Sequence, residues 1–187
     1  MNDGMRRIRR TLVGVCGAAL LTLTGLGAAS AHVTVKSPET AAGSSAMLTF
    51  AFSHGCDGSA TTQITISVPE EIVSVKPGMN YGWTVEKVTD DSATPVASGH
   101  GEASARVSEI VYTAKEPVED GFYDQFLVQV SLPEDAEGET IYFPVIQTCE
   151  EGETAWIQIP EEGQDGSDLE SPAPGITVTA PKEDAGH

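Results

Sequence analysis

The chain has 187 residues with 28 aspartates and glutamates against 10 lysines and arginines, a net charge of −18 at neutral pH. A surface this acidic is repelled by phosphate backbones, which excludes nucleic-acid binding and leaves weak capture of cations, or solubility alone, as the use of the charge. Hydrophobic residues make up 40% of the sequence, enough for one sizeable core.

In chain order, Met5-Arg6-Arg7-Ile8-Arg9-Arg10 forms a positive leader and residues 11–28 an apolar, glycine-punctuated run. Ala29-Ser30-Ala31 is the small-residue pattern after which signal peptidase cuts. Residues 1–31 are therefore expected to be removed and the product to be periplasmic or secreted. Arg9-Arg10-Thr11-Leu12-Val13 loosely suggests twin-arginine export, so that route and the general secretory one both stay open. Cys16 leaves with the leader, and Val15 before it is not the small residue a lipoprotein signal needs. Cleavage takes four arginines and one aspartate, leaving six basic against 27 acidic residues, or −21, over 156 residues. No later apolar run approaches a membrane span of roughly 18 residues, so no transmembrane anchor is expected in the mature chain.

From His32 onward the pattern is short extended runs between turn residues, with no helical period. Strands are expected at 32–36, 46–52, 62–68, 72–75, 83–88, 105–114, 126–132, 140–148, 154–159 and 176–179. Period-two alternation is cleanest in 62–68, where Ile64, Ile66 and Val68 oppose Gln63, Thr65 and Ser67. Pro77-Gly78 marks a turn, 89–101 a polar hairpin-like stretch, and 164–170 a polar segment expected to be mobile. Short strands spaced by turn signals predict a single all-β domain over 32–180, an antiparallel immunoglobulin-like β-sandwich, with a solvated tail at 181–187.

Cys56 and Cys149 are an even pair in an exported chain, so a disulfide is expected. It would close a loop of about 90 residues and bring the 53–58 loop beside the 149–153 loop. A thiolate metal pair is the alternative that an oxidising compartment disfavours.

The chemistry begins at His32, which cleavage would leave with a terminal α-amine beside its imidazole. With a reference pKa near 7.7–8.0, that amine gives up its proton to a metal readily near neutrality. Amine and imidazole completed by oxygen form a tetragonal N,O set that suits Cu(II). A second cluster is Cys149-Glu150-Glu151-Gly152-Glu153-Thr154-Ala155-Trp156, carboxylates at a hairpin mouth followed by an indole. Alternation groups Trp156 with Thr154 and Gln158, opposite Ile157 and Ile159, which is read as placing the indole outside the main core as the wall of a site. The plainer alternative makes these a solvated turn and a core or rim aromatic.

Among other residues, His54 is either a further ligand or gate or, more simply, a hydrogen-bond partner of its loop backbone. His100 and His187 look solvated, and Tyr123 structural. The Gly-x-Gly pieces lack a following helix and are no nucleotide loop.

Taken in order, Ala31-His32-Val33-Thr34-Val35, Ser37-Pro38-Glu39, Ala42-Gly43-Ser44, Ser53-His54-Gly55-Cys56-Asp57-Gly58-Ser59, Lys76-Pro77, Gly82-Trp83, Tyr123-Asp124-Gln125-Phe126 and Pro144-Val145-Ile146-Gln147 running into Trp156 resemble the YcnI-like copper-binding domain over about 32–180. The resemblance implies an exported all-β protein holding one Cu(II) in a mono-histidine brace. Carried over, His32 supplies amine and ring nitrogen, Glu153 the carboxylate, with Glu150 and Glu151 as alternatives, and Trp156 the aromatic against the metal. It also implies a copper chaperone or acquisition factor rather than an enzyme, with a PCuAC-type chaperone or a copper importer as partner. The resemblance also implies a C-terminal membrane anchor in many relatives, whereas no apolar span is expected near the end of this sequence, so no fixed membrane attachment is expected. Two rival functions remain: a histidine-brace copper oxygenase, which would want a second histidine in the brace, and a metal-free envelope interaction module.

Overall fold

The computed structural model describes residues 32–90 and 105–182. The expected signal segment, Cys16, His100, His187 and most of the tail lie outside the described residues.

Alternation in two long runs builds the first sheet. Strands β1 (Thr34–Lys36), β2 (Ser45–Phe52), β4 (Val75–Pro77) and β7 (Asp124–Ser131) assemble in the order β1-β2-β7-β4. β2 turns Ala46, Leu48, Phe50 and Phe52 inward, and β7 turns Phe126, Val128 and Val130 inward from the facing positions. Their antiparallel register runs from Ser45 opposite Ser131 to Phe52 opposite Asp124. β4 is an edge strand, which is why it can end in Pro77, a residue without an amide proton for a ladder.

The second sheet contains β3 (Thr61–Ser67), β5 (Trp83–Asp90), β6 (Arg106–Val118), β9 (Val145–Cys149) and β10 (Glu153–Trp156), in the order β10-β9-β3-β6-β5. A ribbon of β8 (Thr140–Tyr142) and β11 (Gly175–Thr177) completes the described strands. The inner faces of the two main sheets share one apolar core. At its centre the Phe126 ring stacks on Tyr112 at 4.2 Å and meets Trp83 edge-on at 4.9 Å. The all-β expectation is met, and the antiparallel strands place the core where alternation puts it.

Several boundaries differ from expectation, each for a local reason. The run 140–148 is two strands because Pro144 cannot donate to a ladder. The Pro144 carbonyl instead takes the Ser67 amide, while β8 leaves to pair with β11. In the stretch 72–75 only Val75 joins a strand; Ile72 closes a turn onto the Pro69 carbonyl and is fully buried. Within the polar stretch 164–170 a short 3₁₀ turn forms at Gly166–Asp168. There the Asp165 carboxylate accepts the Ser167 amide at 2.9 Å, and this bond holds its pKa below the ordinary value. With these changes the described strands number eleven.

Cys56 and Cys149 are joined as a disulfide across a sequence separation of 93 residues. In the chain-entropy account, a loop of that length stabilises the fold by about 4 kcal/mol. Replacing both cysteines by alanine should therefore lower the urea midpoint by an amount corresponding to a few kcal/mol; an unchanged midpoint would contradict this. Tyr112 supplies a second check. Burial pushes its phenol from 10.0 up to about 12. The folded chain then keeps a proton that the unfolded chain loses from pH 10, so this contribution to stability is complete below pH 10 and is lost as pH rises through about 12. Ultraviolet titration should show a tyrosinate component appearing near pH 12 that Tyr112→Phe removes.

Candidate metal site

β1 and β10 are edge strands of different sheets, and the segment before β1 brings His32 against the end of β10. Buried Val33 anchors that segment in the core. The His32 ring meets the Trp156 indole edge-on, with centroids 5.4 Å apart and planes at 69°. Two site residues named from the sequence, more than a hundred positions apart, are thus in direct contact.

Trp156 itself is a correction. It is only 6% exposed and belongs to the core, whereas Ile157 and Ile159 are 50% and 54% exposed. Thr154 does share a face with Trp156, but that face points inward, and the grouping stops there because β10 ends at Trp156 and Gln158 is exposed like Ile157 and Ile159. The reason lies on the paired strand. β9 points Val145, Gln147 and Cys149 inward, and the register Trp156 opposite Val145 and Thr154 opposite Gln147 puts the indole on that same face. A buried indole needs an acceptor for its N–H, and Gln147 provides one.

Gln147 is 1% exposed and makes three side-chain hydrogen bonds. Its Oε1 accepts the Trp156 Nε1–H at 3.1 Å, while its Nε2 donates to the His54 carbonyl at 2.7 Å and to Thr61 Oγ1 at 2.8 Å. The indole, the 53–58 loop and β3 are therefore tied at one amide. The disulfide lies alongside, with the Cys56 amide 3.0 Å from Cys149 Sγ.

The 53–58 loop is tight. A Cβ on Gly55 would lie 1.8 Å from the Ser59 carbonyl oxygen, so only glycine fits there. Asp120 braces the loop from outside, its Oδ1 accepting the Gly55 amide at 2.8 Å and standing 3.6 Å from His54 Nδ1. The His54 ring is thus partnered by a distant carboxylate rather than by its own loop backbone, as the simpler expectation had it. The hairpin mouth joins the same loop: the Glu150 amide donates to the Ala60 carbonyl and the Glu151 amide to Ser59 Oγ.

Glu150, Glu151 and Glu153 are exposed at that mouth. Glu153 opens β10 opposite Thr148, and strand alternation sets it on the face away from Trp156. Among the described residues, no three or more histidine, cysteine, aspartate or glutamate side chains gather into a metal-holding group. The structure brings His32 against Trp156, links the indole through Gln147 to the His54 backbone, and leaves the three glutamates exposed at the hairpin mouth. Gln147 and Asp120 were not singled out as functional from sequence. Gln147 had a signal, an amide on an inward position between Val145 and Cys149; Asp120 had none.

No curated protein matches the chain. Among solved structures, an uncharacterized protein from Nocardia farcinica with an immunoglobulin-like fold is similar at 30% identity and a TM-score of 0.63, covering 80% of this chain and 99% of that one. A putative membrane-anchored protein from Corynebacterium diphtheriae is similar at 14% identity and a TM-score of 0.43, with 81% of this chain matching 35% of that one. Among the described residues of the present chain, no helix is long and apolar enough to cross a membrane. A family model described as a domain of unknown function, DUF1775, matches residues 32–178, and the chain belongs to that family.

Proposed function

We propose that this protein is exported and binds one Cu(II) ion as a copper carrier or acquisition factor, through the amine and imidazole of a His32 made N-terminal by removal of residues 1–31. The observation that carries the reading is the His32 ring seated against a buried, hydrogen-bonded indole. The donor chemistry fits. One residue offers two nitrogens, so a site here does not require a cluster of three side chains. The indole N–H is committed to Gln147, so Trp156 can screen the ion from water without competing for its ligands. The family match beginning at His32 is in keeping with a mature chain that starts there.

The oxygen donor that the resemblance implies is Glu153, with Glu150 and Glu151 beside it; His54, on the loop bonded to Gln147, is the nitrogen alternative. A histidine brace completed by carboxylate suits Cu(II) rather than Cu(I), which favours binding over redox catalysis. In this reading the partner is a PCuAC-type chaperone or a copper importer. A metal-free interaction module is the second reading, favoured by Met79, Tyr81, Phe122 and Tyr123, which stand exposed on two loops. Copper titration of correctly processed protein separates the two, since the second binds none.

Protein starting at His32 should bind Cu(II) one-to-one, and protein with one extra N-terminal residue should bind it far more weakly; equal affinities would remove the brace. His32→Ala should abolish the copper spectrum, and Trp156→Phe should alter it to a lesser degree. Glu153→Gln and His54→Ala, compared by copper titration, identify the remaining donor. The variant that removes it should cost more than the roughly 10–100-fold typical of outer-shell changes, while the other stays near the parent.

A further inference from the structure

We infer that Gln147 is a positioning residue for the His32 site: its side-chain amide fixes the Trp156 indole, against which His32 rests, on one side and the His54 loop on the other, so that the indole and the loop are held by a single group. The inference rests on the copper reading for its effect on metal, but its structural half stands on hydrogen bonds alone.

The amide leaves little freedom. A glutamine side chain carries one carbonyl acceptor and two N–H donors. Here the acceptor takes the indole N–H, and the donors reach the His54 carbonyl and Thr61 Oγ1. Because both ends are engaged, the amide cannot flip: a flip would point an N–H at the indole N–H and the oxygen at the His54 carbonyl. At a side chain 1% exposed bulk water does not reach these groups, so losing any of these bonds leaves a desolvated group short of a partner. Thr61 closes the arrangement. It is itself fully buried at the start of β3, with its Oγ1 3.9 Å from Cys149 Sγ, so the amide is seated against the disulfide as well.

An apolar residue would satisfy the sheet here as well as glutamine does, since Val145 occupies the equivalent inward position two residues earlier. What glutamine adds is orientation. The His32 ring contacts the indole edge-on, so a rotation of the indole would displace whatever surface His32 meets. Packing could hold the indole in the core without its N–H bond. Only the bond to an amide also tied to the His54 carbonyl sets one loop relative to the other.

The test uses mature protein beginning at His32, with Gln147→Glu and Gln147→Leu variants, Cu(II) as the only added ligand, and Trp156→Phe to identify the signal of that indole. In metal-free unsubstituted protein, the Trp156 indole N–H should be strongly protected from hydrogen exchange. Gln147→Glu keeps an acceptor for the indole and, when its carboxyl is ionised, has no donor left, so at a pH where it is ionised protection should persist while the amides of residues 54–56 become faster to exchange. Gln147→Leu should lose both. Copper affinity should fall on the order of 10-fold or more in each variant, as for other outer-shell positions, with a changed electron paramagnetic resonance spectrum. Rapid exchange of the indole N–H in the unsubstituted protein would overturn the inference without requiring any variant to fold. So would folded variants whose copper affinity and spectrum match the parent. If the unsubstituted protein binds no copper, the copper reading fails, while the exchange measurements still decide whether Gln147 holds the indole and the loop.

Discussion

A buried amide with every one of its polar groups engaged organises the end of the sandwich that carries the candidate site. Each of its bonds adds only about 1 kcal/mol net, because water would satisfy the same groups in the unfolded chain. The asymmetry matters more: once Gln147 is enclosed, an unmade bond leaves a desolvated donor or acceptor with nothing to replace it. That constraint fixes the rotamer of the indole, the path of the chain through His54 and the place of β3 at once. The disulfide at the same spot restrains the same loop covalently.

The location follows from how two sheets end. β1 and β10 are both edges, and a sandwich leaves the gap between facing edges to be filled by something. Here a chain segment entering the fold through Val33 fills it, and the His32 ring abuts the indole that seals β10. The net charge of −18 gives the chain only an unspecific attraction for cations.

Much of this was legible in the primary structure. Alternation in 62–68 and 126–132 named the inward residues of two strands correctly, because a half-buried strand must repeat every two residues. The cysteine pair was legible because, with Cys16 assigned to the expected leader, only Cys56 and Cys149 are left to pair. Trp156 shows the limit. Its grouping with Thr154 was right, but which group faced inward could not be read from four residues of β10 in which polar and apolar side chains are mixed. The register on β9 decided it, and that register depends on a strand whose own inward positions include a glutamine.

The residues by themselves determined an all-β fold and the bridging of Cys56 to Cys149, since composition, period-two alternation and cysteine pairing are local properties of the chain. Tertiary structure alone decided that the indole is core, that Gln147 is its partner and that Asp120 braces the His54 loop. Those facts depend on which strands lie side by side. Such pairings join residues up to 93 positions apart, and no local pattern encodes them.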